Sequence, residues 1–126
     1  MYMNKTSHLV LRFSVANILL IHSLPGMFNN GVNNFGNLYL NEIGFAPIGL
    51  YLAWAIKLSH IVAAISLIFN KFILVTSVVT IGILIAGVLM VHLPNGWFVV
   101  GGGTNGVEYN FLLIAVLISL IFAAKK

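Results

Sequence analysis

The chain has 126 residues, of which 60% are hydrophobic and 6% are charged, whereas charged residues make up about 25% of soluble domains. So few charges exclude a water-soluble fold, because most of the surface must then face an apolar medium such as the bilayer. The absence of cysteine excludes disulfides and thiol chemistry. The net charge of +4 does not indicate a nucleic-acid partner, since the basic residues are scattered singly.

Four stretches are long and apolar enough to cross a membrane, which takes about 20 residues. They are residues 9–27, 48–69, 72–93 and 106–124. Arg12, Asn17 and His22 make the first stretch the weakest; a signal peptide is the alternative, but its small-residue cleavage pattern is missing. The sequence therefore predicts an all-α, polytopic membrane protein, with one domain over residues 1–126 that forms a four-helix transmembrane bundle.

The basic residues beside these stretches predict the orientation, because Lys and Arg collect on the cytoplasmic side of a membrane. Lys5 precedes the first span, Lys71 lies between the second and third, and two lysines end the chain. The connections at residues 28–47 and 94–105 contain neither Lys nor Arg. We therefore predict a multi-pass protein of the bacterial inner membrane, with both termini in the cytoplasm and these two connections outside.

The first outer connection is rich in asparagine and carries apolar residues at helical spacing. These are Val32, Phe35, Leu38, Tyr39 and Ile43. They predict a short interfacial helix that ends at Gly44, with Pro47 opening the second span. The second outer connection has turn residues at 94–97 and three glycines at 101–103, which predict a tight lid. No nucleotide site is predicted there, since no Lys-Ser/Thr pair follows the glycines.

Ionisable side chains inside spans are costly and mark candidate sites. His22, His92 and Glu108 fall near the outer ends of their spans, and with Asn105 they predict a cofactor-binding polar mouth that faces outward. Such a mouth suits a quinone-like or lipid headgroup, proton transfer to a quinone, or haem b held by His22 and His92. The structural alternative is that the histidines bond loop carbonyls, while Asn105 and Glu108 form a capping box. No His-x-x-x-His or Glu-x-x-His spacing supports a metal site.

Lys57 and His60 form a second candidate cofactor-binding pair, because residues three apart share one face of a helix near the middle of the bilayer. The sequence leaves three states open for Lys57: its amine is neutral, it pairs with Glu108, or it contacts a polar headgroup or a partner subunit.

Arg12 is expected to reach anionic headgroups of the inner leaflet. Small residues on the second and third spans predict close helix packing. These are Ala53, Ser59, Ala63, Ala64, Gly82 and Gly87.

One motif runs from the third span into the fourth. It reads His92-Leu93-Pro94-Asn95-Gly96-Trp97-Phe98, then Gly101-Gly102-Gly103, then Glu108-Tyr109 before an apolar last helix. With the interval from Arg12 to His22 and the segment 43–47, this pattern resembles the DoxX family of small four-helix membrane proteins over nearly the whole chain. Two departures stand out. Many relatives have Glu in the second span near the position of Lys57, and Lys after the first-span histidine, where this chain has Pro25-Gly26.

The resemblance implies association with respiratory or redox membrane complexes, in some relatives as quinone-reactive or small subunits of sulfur-compound oxidoreductases. We therefore expect an accessory subunit of a redox or respiratory-type complex, whose polar mouth binds a quinone-like or lipid headgroup or a membrane or extracytoplasmic protein partner. The alternatives are a quinone- or haem-linked oxidoreductase component that uses His22 and His92, and a small transporter. No nucleophile–base pair indicates stand-alone catalysis.

Overall fold

The computed structural model describes residues 5–99 and 106–124, and all regular structure in these ranges is helical, without a strand. The α-helices, in chain order, are α1 Lys5–Phe28, α2 Gly31–Asn34, α3 Gly49–Phe69, α4 Ile73–Gly87 and α5 Glu108–Ala124. Wider π-helices occupy Phe35–Phe45 and Val88–His92, and a 3₁₀ turn covers Leu93–Asn95. The predicted all-α class is therefore confirmed for the described part of the chain.

Among the described residues, three helical stretches are long and apolar enough to cross a membrane. They are His8–Phe28, Gly49–Phe69 and Ile73–Asn95, and they coincide closely with the first three predicted spans. The fourth predicted span, 106–124, contains the 17-residue helix α5, which is about 26 Å long. It begins two residues later than predicted because Gly106 and Val107 bond to the preceding loop.

The chain divides into two compact units. The α1–α3 unit comprises Arg12–Lys71, and every residue in it is described. The α4–α5 unit comprises the residues up to Leu11 together with those from Phe72 onward. The boundary falls inside α1, so the candidate site residues on α1 and α3 belong to one unit and those on α4 and α5 belong to the other.

The connection that precedes α3 is helical, as predicted, and packs directly on α3. A Cβ atom on Gly36 would lie 2.5 Å from Leu50 Cα and 2.7 Å from Gly49 O, so only glycine permits this approach of the two backbones. Val32 and Leu40 bury their side chains in the same cluster as Ala53 of α3. The connection leaves helical geometry at Gly44, where φ is 119°, which confirms the predicted helix end.

Asparagine side chains fasten this connection in place. Asn41 Oδ1 accepts a hydrogen bond of 2.9 Å from the backbone N–H of Gly49, at the start of α3. Asn29 Oδ1 accepts one of 2.9 Å from the N–H of Gly31, at the start of α2. Because the first turn of a helix leaves its N–H groups without partners in the helix, these side chains serve as caps, and the asparagine-rich composition has a structural cause.

Arg12 contacts the other end of α3. Its Nη1 atom donates a hydrogen bond of 3.0 Å to Leu67 O, one of the last-turn carbonyls that no residue of an α-helix can satisfy. A cation at this position also complements the negative end of the helix dipole. The guanidinium, predicted from sequence to reach lipid headgroups, therefore joins α1 to α3 through at least one of its N–H groups.

In the α4–α5 unit, the two helices pack against each other and Asn110 links them. This side chain is 5% exposed, and its Nδ2 atom donates to Leu84 O at 3.2 Å.

The prediction that small residues mediate packing holds for Ala53 on α3, which is fully buried. It is wrong for Gly82 on α4 as far as the described residues go, because Gly82 is exposed and no described atom beyond its own stretch of helix lies within 4 Å of an added Cβ.

Candidate ligand-binding cluster

Three basic side chains, at positions 22, 57 and 60, belong to the α1–α3 unit. Lys57 and His60 are one turn apart on one face of α3, as predicted. His22 is exposed, Lys57 is half-buried and His60 is buried. These three residues, which we call the basic cluster, therefore extend from the surface of the unit into its interior.

His60 is the most unusual member of the basic cluster. Its side chain is 7% exposed, and neither Nδ1 nor Nε2 has a hydrogen-bond partner among the described residues. An imidazole offers one donor and one acceptor when neutral. Leaving a buried polar atom unpaired costs about 1–3 kcal/mol. A buried side chain with two unpaired nitrogens is therefore suited to receive a polar group from outside the chain.

Lys57 is held over an aromatic ring. Its Nζ atom lies 5.4 Å from the centroid of Phe35, which is within the range of a cation–π interaction. Phe35 itself stacks on Tyr39, with ring centroids 5.7 Å apart and planes 13° from parallel. The π-helical connection thus supplies an aromatic wall beside the basic cluster, and the ammonium group keeps N–H donors for another partner.

A hydrogen bond fixes that aromatic wall against α3. The indole Nε1 of Trp54 donates to Asn33 Oδ1 at 2.8 Å. Trp54 lies three residues before Lys57, and Asn33 lies two residues before Phe35, so the bond joins the two segments that carry the cation and the ring. The sequence analysis gave neither Trp54 nor Asn33 a role, since their pairing spans 21 residues of chain.

Glu108 stabilises the described part of the loop that precedes α5 in the α4–α5 unit. Its Oε1 atom accepts a hydrogen bond of 2.6 Å from the N–H of Val99, while its own N–H donates to Trp97 O at 2.9 Å. Gly106 and Val107 donate to two further carbonyls of the same loop. Glu108 is the first residue of α5 and not the third, so the predicted capping-box position is wrong, although the carboxylate does accept a backbone N–H.

His92 ends the π-helix that continues α4, and its side chain is half-buried. A Cβ on Gly87 would lie 3.8 Å from His92 Cδ2 and 3.5 Å from Asn110 Nδ2. The imidazole and the amide therefore lie near the same point of α4, and a Cβ at Gly87 would make only ordinary van der Waals contacts with them. Asn110 has no role in the sequence-based predictions; an amide side chain inside the otherwise largely apolar helix α5 is the signal that could have found it.

The predicted polar mouth is divided between the two units. His22 lies in the α1–α3 unit, whereas His92 and Glu108 lie in the α4–α5 unit, and Asn105 falls outside the described residues. Within the α1–α3 unit, His22 joins the second predicted pair, Lys57 and His60. No group of three or more His, Cys, Asp or Glu side chains in the described ranges is arranged to hold a metal ion.

Comparisons with family models, with curated proteins and with solved structures find no match for this chain. The ammonium of Lys57 is a pure donor, and His60 supplies a second donor or an acceptor. Phe35 adds a flat apolar surface. These groups together suit a planar molecule whose ring carries oxygen atoms, more than they suit a metal ion.

Proposed function

We propose that this chain is a four-span accessory subunit of a redox or respiratory-type complex in a bacterial inner membrane, and that its basic cluster binds a quinone-like headgroup. The observation that carries the proposal is His60, a buried imidazole with two unpaired nitrogens on the same helix face as Lys57. A quinone has two carbonyl oxygens that accept hydrogen bonds, and it dissolves in the membrane that these helices are long enough to cross.

The membrane placement is supported by the three long apolar helices and by their exposed apolar side chains. The fourth crossing is supported by the apolar character of α5 and by the two lysines that follow it in the sequence. Four crossings place every short basic flank on the same, cytoplasmic side. The accessory role and membership of the DoxX family are proposed on the motif from His92 to Tyr109.

The outward polar mouth and haem ligation by His22 and His92 both require groups from the two units. The basic cluster needs only one unit, and it is therefore the better supported site. Partner binding remains part of the proposal for an accessory subunit, whereas no observation on the described residues favours a transporter.

Trp54 provides a direct measurement of quinone binding, because it lies one turn from Lys57 and the chain has only two tryptophans. In a Trp97→Phe background, the fluorescence of Trp54 is titrated with a decyl-substituted benzoquinone, with the protein in lipid nanodiscs. We expect saturable quenching. His60→Leu should weaken binding about tenfold, which corresponds to the loss of one hydrogen bond of about 1.4 kcal/mol. His8→Leu, on the same helix as His22 and outside the basic cluster, should leave the affinity unchanged.

Quenching that rises linearly with quinone concentration and is the same in His60→Leu would overturn the proposal, because it would reflect only quinone dissolved in lipid. If His60→Leu does not fold, His60→Gln replaces it. Glutamine retains a donor and an acceptor but alters the positions of both, so the proposal then requires a smaller, measurable loss of affinity.

A further inference from the structure

The basic cluster has an imbalance of charge. The whole sequence contains two acidic side chains, Glu42 and Glu108. Within the α1–α3 unit, where every residue is described, Glu42 is the one carboxylate; it is exposed on the connection and makes no ion pair with Lys57. Glu108 accepts the N–H of Val99 in the other unit. The α1–α3 unit therefore supplies Lys57 with an aromatic ring but with no counter-ion.

At the position of Lys57, a counter-ion would stabilise the charged ammonium group strongly. Lys57 lies eight residues after Gly49, the first residue of α3, or about 12 Å along the helix. At this depth the surroundings are apolar, and the attraction between opposite charges is several times stronger than in water. A cation–π contact offsets only part of the cost of removing an ammonium group from water. A bound anion would offset more of it.

We infer that the ligand of the basic cluster is an acidic quinone, whose ring bears an ionised hydroxyl that pairs with Lys57 while a ring oxygen meets His60. This inference rests on the proposed function and specifies the substrate class of the same site. A lipid phosphate is also an anion that could pair with Lys57, but phosphates lie at the membrane surface. Lys57 and His60 lie near the middle of a 21-residue helix. A flat ring also fits beside Phe35 better than a tetrahedral phosphate.

Two probes with the same ring, one anionic and one neutral, test this inference. One is a 2-hydroxy-3-alkyl-1,4-naphthoquinone, which is anionic at neutral pH, and the other is its 2-methoxy ether, which is neutral. Both are titrated at pH 7 by quenching of Trp54 in the Trp97→Phe background. The hydroxyquinone is expected to bind about tenfold more tightly than the ether, because only its anion gains from the charge of Lys57.

Lys57→Met is expected to reduce the affinity for the hydroxyquinone about tenfold and to change that for the ether by about twofold or less. Lys71→Met is the matched control. It removes the same charge from an exposed position after the end of α3, so the preference for the anion should be kept. Lys57→Arg, which retains the positive charge, should also keep the preference. Lys57→Gln, which removes the charge but keeps a polar side chain, replaces Lys57→Met if the latter fails to fold, and the same loss of preference is then expected.

The outcomes separate this inference from the proposed function. Equal binding of the two probes, with loss of both in His60→Leu, overturns the acidic ligand and leaves a neutral quinone site. Failure of both probes to bind overturns the quinone site itself. A preference for the anion that survives in Lys57→Met would also overturn the inference, since the charge would then be recognised elsewhere.

Discussion

The indole of Trp54 and the amide of Asn33 are joined by a hydrogen bond of 2.8 Å between segments that lie 21 residues apart. The bond holds the asparagine-rich connection on α3 at the level of the basic cluster. Next to it, Phe35 of the connection lies under the ammonium of Lys57. The connection is therefore more than a link between two spans, because it forms one wall of the candidate ligand site.

The contact between Gly36 and Gly49 should be the most sensitive point of that wall. In Gly36→Ala, the new methyl group would lie 2.5 Å from Leu50 Cα and 2.7 Å from Gly49 O. Both are backbone atoms, so the connection must move away from α3. We expect a loss of about 1–3 kcal/mol in the free energy of unfolding, as for other overpacked cores, measured by denaturation in mixed micelles.

Gly82→Ala is the control for this substitution, because nothing lies within 4 Å of the added Cβ and the residue is inside α4. Its expected effect is a gain of up to about 1 kcal/mol from better helix propensity. Equal stability of Gly36→Ala and the wild type would show that the connection does not pack on α3 as closely as described. Gly36→Ala should also weaken quinone binding, because the preceding residue, Phe35, places its ring beside Lys57.

The helices were predictable because their signal is local. A stretch of about 20 apolar residues specifies a span by itself, and Gly44 marked the end of the connecting helix through its own backbone preference. Contacts that depend on distant residues were not predictable. Arg12 has an apolar helix around it in the sequence, and nothing there indicates that Leu67 O, 55 residues later, accepts its hydrogen bond.

The candidate site was predictable only in part, for the same reason. Helical spacing placed Lys57 and His60 on one face, since that relationship lies within a single helix. His22, His92 and Glu108 were grouped because they lie at a similar predicted depth in the membrane. Depth alone does not determine which side of its helix a side chain occupies. The structure instead places His22 in one unit with Lys57 and His60, a grouping of residues on α1 and α3 that are distant in the sequence.

Glu108 should act chiefly through the loop that it holds. Glu108→Gln keeps an acceptor for the N–H of Val99 and is expected to cost about 1 kcal/mol or less, whereas Glu108→Leu leaves that N–H without this partner and should cost about 1.5–3 kcal/mol. Thermal unfolding in detergent measures both. Neither variant should change quenching of Trp54 by a quinone; a loss of binding in Glu108→Gln, with stability retained, would instead make this carboxylate part of the ligand site.

The number of crossings decides the orientation, and α5 is the helix on which it depends. Its 17 residues span about 26 Å, slightly less than the roughly 30 Å hydrocarbon core. A hydrophobic helix a few Å shorter than the core can still cross, because the bilayer thins locally around it. A reporter enzyme fused after Lys126 is therefore expected to report the cytoplasm, as should one fused after Lys71, while a fusion after Asn95 should report the outside. If the fusions at Lys126 and Asn95 report the same side, α5 does not cross and the four-span arrangement is wrong.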